Sequence, residues 1–278
     1  MQGLSAAPPA AFLLFLPVLC LLSPLRPAGA AAPAGGEREL GAGSRLAAGA
    51  ARAALHYLNF QSGSPAALRA LGQLRKATVK SIPGSGHKYY LQFTAEDYQS
   101  GAHAGSCLAT VLYPKRAAPP VVTSKCSPTK DQQHLQEEDN RLYQALRHQT
   151  KPITANNIPD SYGHIEPALE PIWALAVAGS SYIMWEKSRE DLGYSMAQVK
   201  SAKQWIRKDE LIEFDYTVLL HELPTQEMIS CHMRLTWLPA HPLRVKHFCA
   251  SENQGLEDGS GVGSGAAAGT LQDRAVSS

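Results

Sequence analysis

Apolar and polar positions alternate along this chain in a way that marks out strands and helices in a repeated order. The clearest strand runs from Leu211 to His221. Ile212, Phe214, Tyr216, Val218 and Leu220 fall on one side of it, and Glu213, Asp215 and Thr217 on the other. A period of two is that of a half-buried β-strand. Lys88 to Ala95 repeats it, with Tyr89, Leu91 and Phe93 opposite Tyr90 and Gln92. Helical spacing predicts a helix over Ser44–Phe60, through Leu46, Ala50, Ala53, Ala54, Tyr57 and Leu58. Gly63, Ser64 and Pro65 punctuate its end. A second helix is predicted over Pro167–Trp185, where Leu169, Ile172, Trp173, Ala176, Ser180 and Ile183 share one face. Its prolines, Pro167 and Pro171, lie near the start, where a missing amide costs least. Each half therefore reads as one helix followed by several antiparallel strands. A twisted sheet wrapped over that helix is the physical solution, an α+β arrangement.

Between the halves, Thr129 and Gln132 have capping-box spacing, and Leu135, Leu142, Tyr143 and Leu146 form an apolar stripe. Glu137, Glu138, Asp139, Arg141 and Arg147 occupy the other face. Thr129–Gln149 is thus expected to be a connecting helix docked between the halves. Lys151–Ile165, with Pro152, Pro159, Gly163 and two asparagines, reads as a loop crossing to the second half.

The ends have a different character. Ala11 to Leu22 is an unbroken apolar run, followed by Arg26 and the small residues Ala28, Gly29 and Ala30. This is the pattern of a secretory signal, although Met1 to Ala10 carries no side-chain charge. Residues 3–25 are also long enough to cross a membrane as an uncleaved anchor, with four prolines against a regular helix. The expected location is the secretory pathway, as a secreted or a single-pass membrane protein. The boundaries follow: signal or anchor at 1–30, linker at 31–43, first subdomain at 44–127, connecting helix and loop at 128–165, second subdomain at 166–250, and a Gly/Ser/Ala-rich disordered tail at 251–278.

The two halves repeat one another. Cys107 opens an alternating stretch that reaches Tyr113 and Pro114, turns, and closes at Cys126; Cys231 opens another that reaches Trp237 and Pro239 and closes at Cys249. Cys231 lies 124 residues after Cys107, and Cys249 lies 123 after Cys126. A period so long indicates a duplicated domain, since solenoid repeats run about 20–50 residues. If the last two strands of each half form a hairpin, disulfides Cys107–Cys126 and Cys231–Cys249 would staple them. Pairings across the halves have no supporting pattern. The fifth cysteine, Cys20, falls in the leader.

Charge and motif content remove several function classes. A net charge of +2 gives no basic footprint, so no nucleic-acid partner is expected. There is no G-x-S-x-G elbow, C-x-x-C pair or phosphate-binding loop. His221-Glu222 begins like a zinc-protease motif, but Thr225 stands where the second histidine is required. The ten histidines show no metal-ligand spacing. No catalytic residue, metal site or enzyme activity is expected.

Several phrases resemble the latexin family, whose members carry the cystatin fold twice. They are IPGSGHKYYLQF (Ile82–Phe93), EEDNRLYQ (Glu137–Gln144), NNIPDSYGHIEP (Asn156–Pro167), FDYTVLLHE (Phe214–Glu222) and, more weakly, VKHFC (Val245–Cys249). They occur in family order over about Ser44 to Cys249. The resemblance implies two cystatin-like subdomains, no cofactor, and a metallocarboxypeptidase as protein partner, inhibited by capping of its active-site funnel. The best-matching contact loop is His221–Met228, a hairpin tip after the strongest strand. His221 and Gln226 would be the hydrogen-bonding side chains and Glu227 a charge contact, with Thr225 beside them. Leu223-Pro224-Thr225 departs from the family loop and bears on the shape of the tip.

Cystatin-like chains also include inhibitors of papain-type proteases, which use a Q-x-V-x-G hairpin and a Pro-Trp hairpin. The corresponding segments here are Lys76–Ser81 and Gln198–Gln204. Neither holds the glycine that close backbone approach needs, and Trp237 follows Thr236. A second function class stays open: a non-inhibitory interaction module, secreted or membrane-tethered, acting in cell growth or adhesion. Fold alone does not separate the two.

Overall fold

A computed structural model of the chain describes residues 36–41, 43–128 and 132–251. The leader, the tail beyond Ser251, and the capping residue Thr129 lie outside the described residues.

The first half builds on helix α1, Arg45–Ser62. Ser44 caps its start by accepting from the Ala47 amide, and Gly63 ends it at φ 58°, donating back to Asn59 and Phe60. Its buried side is mostly alanine (Ala47, Ala50, Ala51, Ala53, Ala54, with Leu55), so the helix lies close to its sheet. That sheet is antiparallel in the order β1 (Glu37–Leu40), β2 (Arg69–Ile82), β3 (Gly86–Asp97), β4 (His103–Pro114), β5 (Val121–Pro128). Tyr89, Leu91 and Phe93 of β3 point into the core, as the alternation predicts.

The second half repeats the plan around α3, Glu170–Lys187, which a 3-10 turn at Pro167–Leu169 precedes. Its antiparallel sheet runs β6 (Thr154–Ile158), β7 (Gly193–Trp205), β8 (Ile212–Leu223), β9 (Met228–Trp237), β10 (Arg244–Ser251). All five apolar positions named in β8 are buried. Two disulfides, Cys107–Cys126 and Cys231–Cys249, each join directly opposed residues of a final hairpin. The fold is α+β with two cystatin-like subdomains.

Four details correct the sequence reading. Glu37–Leu40, within the stretch read as a linker, is a strand paired to Ala77–Lys80; Thr154–Ile158, within the crossing loop, is a strand paired to β7. Both are short edge strands of mixed polarity, so their neighbours decide them and their own pattern does not. Helix α3 does not bury one face only: Ile172 to Ser181 is buried all round. One side meets its sheet, where a Cβ on Gly179 would sit 2.5 Å from the Leu235 Cδ1 atom. Another side meets α1 through Tyr57–Trp185 and Phe60–Tyr182, with ring centroids 5.2 and 4.8 Å apart. Glu213, read on the outer face of β8, is also buried, beneath an ion pair with Arg207.

The fourth correction concerns the connecting helix α2, Gln132–Arg147. It buries Leu135 and Leu146 as predicted, but also Asp139, which the stripe assigns to the polar face. Asp139 accepts from the Ala66 amide at 3.1 Å and from the Ser64 hydroxyl, both in the first half. On the other side, Tyr143 donates to the Glu210 carbonyl and Arg147 to the Arg207 carbonyl. The helix is therefore tied to both halves. Burial pushes the Asp139 carboxyl above its ordinary 3.8, against the pull of those two bonds. An acid with a raised folded value stabilises most below its unfolded value, and that contribution is lost as pH rises through the folded value. Asn keeps the acceptor and removes the charge. Asp139→Asn is expected to hold or raise stability at pH 7 by up to about 1 kcal/mol and to flatten the pH dependence above 3.8. Urea unfolding at pH 4 and 7 checks this; a loss at pH 7 would mean that the charge itself anchors the helix.

Candidate functional site

The loop singled out by sequence is the tip of the β8–β9 hairpin. The ladder runs from Ile212 opposite Trp237 to His221 opposite Met228. Beyond it the Glu222 amide donates to the Glu227 carbonyl at 2.8 Å, and the Gln226 amide to the Glu222 carbonyl at 3.0 Å. The Leu223–Pro224 peptide bond is cis, and Gln226 takes the left-handed conformation at φ 68°. Pro224, Thr225, Gln226 and Glu227 are exposed, while His221, Glu222, Leu223 and Met228 are half-buried. Cys231, three residues past Met228, joins β9 to β10 behind the tip. A short turn on a cross-linked three-stranded ladder is a rigid mount for side chains.

All four predicted contact residues lie on this one feature, but their positions differ. Gln226 and Glu227 stand at the apex, and among the described residues their side chains have no partner. His221 sits at the base, on the outer side of β8. Thr225 is exposed, yet its hydroxyl is engaged inside the turn, donating to Glu222 Oε1 at 2.8 Å and accepting from the Glu227 amide at 3.3 Å.

The residue that organises the turn is Glu222, which the sequence reading gave no role. Besides Thr225, its carboxylate accepts from the Tyr194 hydroxyl of β7 at 3.1 Å. Burial, then the bond to Glu222, pushes the Tyr194 phenol well above its ordinary value, so it stays a donor. Nothing in the sequence marks this pair: twenty-eight residues separate them, and only the β7–β8 register puts Tyr194 opposite Glu222.

A second polar cluster lies on the adjoining turn. Gly193, which begins β7, is opposite Leu223 at the base of the tip. The turn Arg189–Leu192 just before it carries Glu190. Glu190 reaches the first half: Tyr89 donates to Oε1 at 2.5 Å, and His87 Nδ1 lies 2.7 Å from Oε2. The start of β3, the Arg189–Leu192 turn and the base of the hairpin tip are thus linked one to the next. His87 and Tyr89 fall in the quoted phrase IPGSGHKYYLQF and Glu222 in FDYTVLLHE, whereas Glu190 and Tyr194 fall in none of the phrases. In a third, NNIPDSYGHIEP, Asp160 accepts from the His164 and Tyr162 amides, which hold its carboxyl below the usual range. Among the described residues, no group of three or more His, Cys, Asp or Glu is placed to hold a metal ion.

Comparison with known proteins gives the architecture its relatives. The chain is 51% identical over 278 residues to ovocalyxin-32 of Gallus gallus, with 98% of each chain covered. It is 41% identical over 237 residues to retinoic acid receptor responder protein 1 of Homo sapiens, covering 81% of each. To latexin of Homo sapiens it is 38% identical over 204 residues, covering 71% of this chain and 91% of that one. A family model described as latexin matches residues 40–255, from the last residue of the first strand through the last strand. With two cystatin-like subdomains and a connecting helix tied to both, the chain belongs to the latexin family.

Proposed function

We propose that this protein inhibits a metallocarboxypeptidase of the A type by seating the β8–β9 tip over the enzyme's active-site funnel. The observation that carries the reading is the tip itself. It presents Gln226 and Glu227 outward, without partners among the described residues, on a turn held by Glu222, Thr225 and Tyr194. Binding there needs little reordering of backbone, which favours affinity. Family membership supports the target class. The protein acts by binding, with no catalytic residue of its own.

The test is titration of the full, disulfide-intact chain against carboxypeptidases of the A and B types, with papain as control. Saturable inhibition of an A-type enzyme is expected. Gln226→Ala and Glu227→Lys should each weaken it about tenfold or more if they sit at the centre of the contact. Neither should change the melting temperature, because both side chains are exposed and, among the described residues, unpaired. Unchanged inhibition in both variants would move the contact elsewhere. No inhibition of any enzyme by folded protein would favour the interaction module.

The two disulfides support residence in an oxidising compartment, as the leader pattern suggests. Among the described residues no helix is long and apolar enough to cross a membrane.

A further inference from the structure

Away from the tip, the two halves wall a groove of about 670 Å³ between α1, α3, β2 and β7. That is the size of a small-molecule site, about 300–1,000 Å³. Helices α1 and α3 are each 18 residues long and begin 125 residues apart, so their positions can be matched. Three matched pairs line the groove: Arg52 with Val177, His56 with Ser181, and Asn59 with Met184. The equivalent walls have diverged in chemistry. The first half contributes Arg52 and, from β2, Arg69; the second contributes Val177, Met184 and, from β7, Met196.

Among the described residues no Asp or Glu lines the groove. Among the described residues neither arginine has a carboxylate partner. Arg69 is half-buried, and burial alone lowers its guanidinium from the ordinary value. The nearby His56 adds no charge, since burial brings it down to about 4. An unpaired guanidinium taken partly from water favours an anionic ligand.

The form of that ligand follows from the strand edges. β1 covers only Ala77–Lys80 of β2, and β6 reaches β7 only from Val199 onward. The uncovered lengths, Arg69–Leu74 and Tyr194–Met196, border the groove. Helix α1 already bonds the first residue of each of these lengths. Asn59 accepts from the Arg69 amide at 3.0 Å and donates to its carbonyl at 2.9 Å, while His56 Nε2 lies 3.0 Å from the Tyr194 carbonyl. A peptide adding itself as a strand would have to displace them. A ligand with one acid group and a long apolar body needs no backbone pairing.

We propose that this groove binds a long-chain monocarboxylate, its acid group on the Arg52 and Arg69 wall and its hydrocarbon chain against Val177, Met184 and Met196. The probe is cis-parinarate, whose fluorescence rises in an apolar site, displaced by oleate from the full, disulfide-intact chain. One saturable site is expected, with methyl oleate competing at least tenfold more weakly. The double variant Arg52→Met/Arg69→Met should weaken oleate tenfold or more and leave methyl oleate unchanged. Its melting temperature should not fall, because among the described residues neither side chain has a partner to lose. No saturable binding, equal affinity for the ester, or unchanged oleate affinity in the folded double variant would each overturn the proposal.

Discussion

Replacing Trp237 with alanine lowers the unfolding free energy by about 3–5 kcal/mol, among the largest effects expected of one substitution in this protein. The side chain is fully buried. It packs edge-on against Tyr143 of the connecting helix, with centroids 6.3 Å apart. Its indole N–H crosses to the first half and donates to the Gly63 carbonyl at 2.8 Å. Gly63 itself is closely packed: it holds a left-handed φ, and a Cβ there would sit 2.8 Å from the His241 carbonyl oxygen. Loss of the ring opens a cavity where both halves and the connecting helix meet. Trp237→Phe separates the two contributions: it restores most of the volume but strands the carbonyl, at a cost of about 1–3 kcal/mol. Urea unfolding followed by far-ultraviolet circular dichroism gives both values. A phenylalanine variant as stable as the parent would show that the carbonyl finds another partner. A reciprocal bond, from the Trp185 indole of α3 to the Pro120 carbonyl, ties the halves in the other direction. The parent should therefore unfold in one transition.

Opening either disulfide costs about 3 kcal/mol, acting mainly through the unfolded chain. The sequence separations are 19 for Cys107–Cys126 and 18 for Cys231–Cys249, so each bond closes a loop of similar entropy. The bonded residues face each other in ladders whose backbone pairing is complete on both sides of them. The folded hairpins therefore survive in Cys107→Ala/Cys126→Ala and Cys231→Ala/Cys249→Ala, and the free-energy loss appears as an earlier urea midpoint with a steeper slope. Cys107 and Cys231 are buried while Cys126 and Cys249 are half-buried, and native protein should resist alkylation until reductant is present. Free reaction of these thiols in native, unreduced protein would overturn the oxidising-compartment reading and the expected stabilisation together.

The parts of the fold legible in the sequence are those fixed by neighbours in the chain. Period-two alternation over β8 and β3 comes from one face meeting a core, and successive residues record it. The cysteine pairing was legible for the same reason: a hairpin brings its two arms together by local turning. Alternation failed for Glu37–Leu40 and Thr154–Ile158, because an edge strand is held by its partner's backbone and its side chains carry no signal of that. It also missed the all-round burial of α3, where the second buried side faces a helix from the other half. Asp139 reads as solvated because its partners, Ser64 and Ala66, arrive from more than seventy residues away.

For the candidate sites the division is similar. By itself the sequence determined the duplicated α+β plan, the family, the cysteine pairs and the loop between β8 and β9. Tertiary structure alone decided that Gln226 and Glu227 stand exposed at the tip while Thr225 is engaged within it, and that Glu222 and Tyr194 hold the turn. It alone set Arg52 and Arg69 across a groove from Val177 and Met184. Local pattern reports which face of an element is apolar. Which polar groups find partners depends on strand register and on the packing of one half against the other, and no single segment of the chain records either.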